Sequence, residues 1–301
     1  MSSKWRVIDC SQMEGTISSA RGAIIITKLG HQPSVIPRAD VAVMLVGMKV
    51  KFSAASIHRL LSQDVAILFC DWKGVPEGGT YPWSSHSRVA ARHRSQAKMT
   101  VPRQKNAWGR IVKAKVLGQS QVLKDQGIQQ WRQLSDLARH TRSGDPENIE
   151  AQAARLYWQA LFGAEHFLRS PGTGISVRNA QLDYAYAVLR GHGIRAALSA
   201  GLSTAVGVFH RGRSNNFALV DDLIEPFRPA IDDAVAQLGE EDSLENSEIR
   251  HYLVAAADRK FLEDGRTISS AFSELAQNFG QYAEGEIDRL QVPHWLGASN
   301  G

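Results

Sequence analysis

The run His210-Arg-Gly-Arg-Ser-Asn-Asn-Phe-Ala-Leu-Val-Asp-Asp-Leu-Ile-Glu-Pro-Phe-Arg-Pro229 sets both the helical character of the second half of the chain and its chemistry. Phe217, Leu219, Leu223, Ile224 and Phe227 give an apolar pattern compatible with a helix that begins after the Asn215-Asn216 turn. On that helix Asp221 lies four residues before Glu225 and Asp222 three, so both can share its face. Pro226 cannot donate to the carbonyl of Asp222, and Pro229 cannot donate to that of Glu225. The helix is therefore predicted to kink or loosen where the acids sit. One histidine, three carboxylates, two asparagines and three arginines fall within these twenty residues. Imidazole and carboxylate are ligand types for Mg²⁺, Mn²⁺ or Zn²⁺, and arginines are the usual partners of phosphate. Two readings stay open on this run alone. One is metal-assisted chemistry on a phosphodiester; the other is a solvated acidic helix end with Arg228 as its salt-bridge partner.

Toward the N-terminus the pattern changes from helical to strand-like. Residues 5–9, 16–19, 23–29, 41–46 and 65–70 are short apolar or β-branched runs, predicted as strands. Residues 53–61 have helical spacing through Ile57, Leu60 and Leu61, with Ser53 as N-cap. Residues 71–81 hold two turn signals and no period, and are predicted as loop. This part carries no Gly-rich phosphate loop, no paired acids and no metal-ligand cluster.

After Pro82 helical spacing dominates: residues 88–97, 105–123, 128–142, 148–162, 179–189, 195–200, 230–238, 247–257 and 269–282. Gly191 and Gly193 are expected to break the chain between two of these helices. The fold class that follows is α+β, with a small β-rich domain over residues 1–84 used for dimerisation or assembly. A larger all-helical domain over residues 85–301 carries the chemistry. Asp145 is expected to cap the 148–162 helix, with Pro146 as its first residue and Gly163 as its stop. Glu150 sits at the edge of that helix's apolar stripe, beside Ala153, Ala154 and Tyr157. A carboxylate there is costly unless paired or bound to metal; the other reading is an acid favourably placed in a first turn. Tyr184 and Tyr186 could contact DNA or pack in the core, and Trp295 anchors the tail.

The chain is 43% hydrophobic and 22% charged, the composition of a globular protein. No run of about 18 apolar residues is present and no signal core follows Met1, so a membrane is not an expected partner and a cytoplasmic location is. Cys10 and Cys70, the only two cysteines, end apolar runs and read as buried thiols in a reducing compartment. The net charge of +5 is unevenly spread. Residues 80–124 contain no acid, but hold Arg88, Arg92, Arg94, Lys98, Arg103, Lys105, Arg110, Lys113, Lys115 and Lys124. Such a block favours a polyanion, most simply nucleic acid. An ordinary basic surface faced by acids from elsewhere in the fold is the alternative.

Three segments then fall into register with a known family: Glu150-Ala-Gln-Ala-Ala-Arg-Leu-Tyr-Trp, Asn179-Ala-Gln-Leu-Asp-Tyr-Ala-Tyr-Ala-Val-Leu, and Gly207-Val-Phe-His210 followed by Asp221-Asp-Leu-Ile-Glu-Pro-Phe-Arg-Pro229. The chain resembles, over nearly its full length, the CRISPR-associated integrase/endonuclease of the spacer-acquisition complex. It is most similar to the branch that accompanies type II systems. The resemblance implies a metal site of Glu150, His210 and Glu225 for Mg²⁺ or Mn²⁺, with Asp221 and Asp222 as supporting acids and Asn215 as a positioning residue. It implies insertion of new spacer DNA by attack of a 3′-hydroxyl at a repeat boundary. It also implies contacts to double-stranded prespacer and repeat DNA, for which Arg88, Arg92, Arg94, Arg211, Arg213 and Arg228 are candidates. The implied assembly is homodimers flanking a dimer of a small partner protein, with other proteins of the locus as further partners. Where many members have Asp-Pro or His-Pro before the metal histidine, this chain has Gly201-Leu-Ser-Thr-Ala205, which alters a loop but removes no ligand. A DNA-repair nuclease that shares the site without integrating is the alternative enzyme; a non-catalytic DNA-binding subunit is the alternative from another class.

Overall fold

The computed structural model describes residues 6–72, 76–80, 82, 86–163 and 167–298. The fold is α+β, as expected: strands to Thr80, then helices. The domain division after residue 84 falls outside the described residues.

The N-terminal part is organised on β5 (Val41–Val46), in which every residue is buried. It runs parallel to β1 (Arg6–Cys10) on one side and to β7 (Ala66–Cys70) on the other, and β8 (Pro76–Thr80) closes the sheet antiparallel to β7. An unbroken apolar strand needs cover on both faces, and β5 has it. Val43 and Leu45, with Val7, Ala66 and Leu68, belong to the helical core. Met44 and Val46, with Ile67 and Cys10, pack on Ile17 and Ile24 of a second sheet. Arg6 pairs with Val41 but Val7 pairs with Val43, and this one-residue irregularity turns Val41 to the second sheet's side. The second sheet has the order β4 (Ser34–Pro37), β3 (Ala23–Lys28), β2 (Gly15–Ala20), β6 (Val50–Phe52). Helix α1 (Ala54–Leu61) starts at Ser53, whose hydroxyl accepts from the Ser56 amide at 3.2 Å, as expected.

Strand β8 corrects the expectation of a loop over residues 71–81. Pro-Glu-Gly-Gly disfavours a strand and only Thr80 favours one, so pairing with the open edge of β7 imposes the conformation. Both cysteines are buried, and burial pushes each thiol up to about 12.

The helices are α2 (Val89–Lys98), α3 (Val101–Asp125), α4 (Trp131–His140), α5 (Ile149–Phe162), α6 (Val177–Ser199), α7 (Ala218–Leu223), α8 (Arg228–Ala236), α9 (Ser247–Ala255) and α10 (Ile268–Glu284). Trp295 is 1% exposed and anchors the tail. The expected break at residues 190–194 is absent, because α6 runs straight through it. Its glycines serve close approach instead. A Cβ at Gly191 would lie 3.0 Å from Val43 Cγ1, and one at Gly193 would lie 2.6 Å from Phe272 Cζ and 2.8 Å from Val220 Cγ1. Helix α6 is thereby clamped between the first sheet and α10. Gly193→Val is expected to cost about 1–3 kcal/mol through overpacking, since the Phe272 ring is fully buried. A lowered denaturant midpoint with an unchanged slope would show it.

Candidate active site

Helix α5 starts differently from expectation. Asn148 is its N-cap, in a left-handed conformation at φ 54°, and Asp145 caps from the preceding loop. The Asp145 carboxylate accepts from the Ile149 amide at 2.8 Å and the Glu150 amide at 3.0 Å. This fixes the first turn, and with it the start of the Glu150 side chain. Glu225 begins a 3₁₀ turn, Glu225–Phe227, between α7 and α8. The loosening predicted from Pro226 and Pro229 is therefore present.

Glu150 and Glu225 meet on α3. The Lys115 ammonium lies 2.7 Å from Glu150 Oε1 and 2.6 Å from Glu225 Oε2. Helix α3 comes this near because Gly118 faces Pro229; a Cβ there would lie 2.9 Å from Pro229 Cγ. Arg228 reaches Glu225 Oε1 at 3.3 Å and lies over the Tyr186 ring at 4.8 Å. Glu225 is 3% exposed. Burial pushes its carboxyl up, but Arg228 and Lys115 outweigh burial and hold it below its ordinary value. In the same way burial opposes the charge on Lys115, and Glu225 and Glu150 outweigh burial and raise its pKa.

His210 is aimed by Asp222. The fully buried Asp222 accepts through Oδ2 from the amides of Val208 (2.6 Å) and Phe209 (3.1 Å). Its Oδ1 accepts from the amide of His210 (3.1 Å) and stands 2.7 Å from His210 Nδ1. The ring's Nδ1–H is thus directed at the carboxylate, leaving Nε2 as the free acceptor. Gly207 is required beside it, because a Cβ would stand 2.7 Å from Asp222 Oδ2. Trp108 on α3 stacks on Phe209 at 4.1 Å and meets the His210 ring edge-on at 5.9 Å. The hydrogen bond that His210 donates to Asp222 is the main cause that raises the His210 pKa; burial opposes it, and the charges of Asp222, Glu225 and Asp221 add to it.

Asp221 points elsewhere. It receives Arg190 Nε at 2.8 Å and Nη2 at 2.9 Å, and Asn215 Nδ2 at 2.8 Å. Asn215 also accepts from the Phe217 amide at 2.9 Å, so it holds the loop that enters α7. A cavity of about 740 Å³ opens beside His210 and Arg228, with Arg169, Arg190, Tyr184 and Tyr186 among its walls. The tyrosine hydroxyls are engaged by acids, Tyr184 by Asp9 at 2.5 Å and Tyr186 by Asp232, which favours the packing role for both.

The basic block divides. Arg88, Arg94, Arg211 and Arg213 are exposed, although Arg88 also pairs with Glu284 at 2.9 Å and Glu286 at 3.1 Å, and Arg211 donates to Gln104 at 2.5 Å. Arg92 corrects its assignment as a DNA contact. It is 4% exposed, and its guanidinium serves Glu284, Gln277 and the Ala200 carbonyl. Arg103 similarly donates to the carbonyls of Tyr282 and Ile287. Lys115 and Arg190 are the site residues the sequence reading missed. Lys115 interrupts the apolar face made by Ile111, Val112 and Val116, and a lysine in that position is itself a sign of buried carboxylate partners.

Among the described residues no three His, Cys, Asp or Glu side chains stand ready around one point; the two glutamates converge on an ammonium. The donor set still fits a divalent ion. Two carboxylates lie within 2.7 Å of one cation, a histidine has a free Nε2, and Glu225 Oε2 is buried without a well-directed hydrogen bond.

Comparison with known proteins agrees with this architecture. The family model described as CRISPR associated protein Cas1 matches residues 11–264. A CRISPR-associated endonuclease Cas1 from Neisseria meningitidis is 36% identical over 242 residues, covering 80% of this chain and 78% of the relative. One from Pyrobaculum aerophilum is 27% identical over 285 residues, covering 88% and 95%. Among solved structures, a casposase bound to an integration product superposes with TM-score 0.78 at 17% identity, covering 95% of this chain and 93% of that one. A CAS1 protein from Thermotoga maritima superposes with TM-score 0.74 at 17% identity, covering 93% and 97%. The family model spans more than half of the chain, and the Neisseria relative shares more than a third of its aligned residues, so the chain belongs to the Cas1 family of CRISPR-associated proteins.

Proposed function

We propose that this chain is a metal-dependent DNA endonuclease and integrase that inserts spacer DNA into a CRISPR array. The proposed step is attack of a 3′-hydroxyl on a phosphodiester at the repeat boundary. The observation that carries the reading is the convergence of Glu150 and Glu225, from two separate elements, within charge range of a histidine that is oriented by Asp222 and feels Glu225. Glu150, His210 and Glu225 would hold Mg²⁺ or Mn²⁺. Such an ion supplies Lewis-acid polarisation of the scissile phosphate and stabilises its developing charge. The chain's own residues do the rest. Arg228 and Lys115 keep Glu225 ionised, Asp222 takes the Nδ1–H and so orients the ring with Nε2 free to ligate, and Arg190 and Asn215 both hold Asp221 at the start of the acidic run. Exposed Arg88, Arg94, Arg211 and Arg213, with half-buried Arg228, are proposed to bind the backbone of double-stranded DNA, which makes binding salt-dependent. A homodimer acting with a small dimeric partner protein is the proposed assembly. A solved neighbour that is a Cas6-RT-Cas1–Cas2 complex supports that choice; it superposes with TM-score 0.75 at 19% identity, covering 96% of this chain and 36% of that one.

Strand transfer tests the reading. The protein, with its partner, is mixed with a labelled 3′-hydroxyl duplex and a supercoiled plasmid carrying a repeat array. Label should join the plasmid only with Mg²⁺ or Mn²⁺ and should be lost in Glu150→Ala and His210→Ala. Nicking without joining would replace integration by the repair-nuclease reading, and joining that survives both substitutions would remove the metal from this site.

The histidine adds a pH dependence. A ligating imidazole must be neutral at Nε2, and the His210 pKa is raised. Mn²⁺ affinity should therefore strengthen with rising pH, through a midpoint above the ordinary histidine value of about 6.5. The sign for stability is opposite. The imidazolium–Asp222 contribution is fully present below the ordinary pKa and fades as pH rises through the raised one. Titrating Mn²⁺ at several pH values checks this, and His210→Gln should flatten the midpoint.

A further inference from the structure

We propose that Lys115 is a displaceable counter-cation of the site, its ammonium holding the gap between Glu150 and Glu225 against the divalent ion and thereby setting how tightly metal is taken. The inference rests on the reading that these acids are metal ligands. It starts from the placement of one ammonium within 2.7 Å of an oxygen on each glutamate, on the buried face of α3.

The two contacts are unequal. Lys115 donates a directed hydrogen bond to Glu150 Oε1 at 2.7 Å. Glu225 Oε2 lies 2.6 Å from the same ammonium, but less well aligned with it. The ammonium thus holds Glu225 chiefly by charge, at a poorer angle than it holds Glu150, and Oε2 is the oxygen more open to capture by a cation with stronger demand for oxygen ligands. Arg228 does not play the same part. It approaches Glu225 at Oε1, 3.3 Å away, and its own position is fixed over the Tyr186 ring. A divalent ion and an ammonium cannot share the same two oxygens, because both would lie at contact distance from them and from each other with like charge. Loading therefore requires the Lys115 ammonium to leave Glu225. The four-carbon stem permits this without moving α3. Without a cation in the gap, the two carboxylates would face each other with Arg228 compensating only one of them.

The consequence is a competition that a purely structural ion pair would not show. Removing the ammonium should tighten metal binding while weakening the metal-free protein. Mn²⁺ binding to the full chain is read by the free-ion electron paramagnetic resonance signal and by thermal unfolding, for wild type, Lys115→Met, Lys115→Arg and Glu150→Gln. Lys115→Met should bind Mn²⁺ about tenfold or more tightly. It should melt lower than wild type without metal, and gain more on saturation. Lys115→Arg, which keeps the charge, should not tighten binding. If Lys115→Met does not fold, Lys115→Gln carries the same comparison. Equal or weaker Mn²⁺ binding in the uncharged variant, while Glu150→Gln loses binding, would overturn the competition and leave the metal site standing. Unchanged binding in Glu150→Gln would overturn the metal site, and the competition with it.

Discussion

Asp222→Ala should lower stability by roughly 3–5 kcal/mol, the range for removing one partner of a buried charged network. The two Asp222 oxygens each take two donors: Oδ2 the amides of Val208 and Phe209, Oδ1 the amide and ring of His210. Alanine leaves the Val208 amide buried with no acceptor and frees the His210 ring to rotate. The usual conservative replacement does not help. Asparagine has one acceptor oxygen, so its NH₂ would have to face two of these donors. Both variants should melt well below wild type, and both should lose strand transfer even at temperatures where they remain folded. A variant with wild-type melting would mean that the loop finds other acceptors and that Asp222 is not its keystone.

Glu225→Gln should have the largest effect on activity: a loss of joining on the order of 10³-fold, about 4 kcal/mol of transition-state stabilisation. It should also destabilise the fold, because Lys115 and Arg228 then face an uncharged amide in a site that is 3% exposed. Glu150→Gln separates the two effects. Its side chain is 24% exposed, and Lys115 keeps Glu225 when it is neutralised. It should lose joining to a similar extent with little change in melting. Single-turnover joining rates and thermal unfolding, measured side by side on both variants, check the pair. Retained joining in Glu225→Gln would exclude this carboxylate as a ligand.

What the residues disclose in advance follows from how local each feature is. Strand β5 is legible because a six-residue apolar run covered on both faces needs no partner to be recognised. The His210–Pro229 run is legible because its acids, histidine and prolines act on one another within a few turns of chain. Strand β8 is not legible, since an edge made by β7 dictates it. The continuity of helix α6 is hidden because glycine reads as a breaker, whereas Gly191 and Gly193 are small to let a sheet and an aromatic ring come near. The same distinction separates the arginines. Arg92 and Arg94 look equivalent in a basic block, and it takes Glu284, Gln277 and the Ala200 carbonyl, all more than a hundred residues away in sequence, to spend Arg92 inside the fold. Lys115 is the clearest case. Its two carboxylates lie on two other elements, one 35 residues away, and nothing beside it in the chain announces either.

The meeting of α6 with the first sheet constrains how this chain can drift over evolutionary time. Gly191 rests against Val43 and Leu68, and its neighbour Arg190 grips Asp221 on α7, the helix that leads to Glu225. An alanine at 191 would press its Cβ to 3.0 Å from Val43 Cγ1 and 3.3 Å from Leu68 Cδ1, so the sheet would have to yield slightly, and a bulkier residue at 43 would press on the turn that holds Arg190. The sizes of positions 43, 68 and 191 are therefore coupled, although none of the three is among the residues proposed to hold the metal.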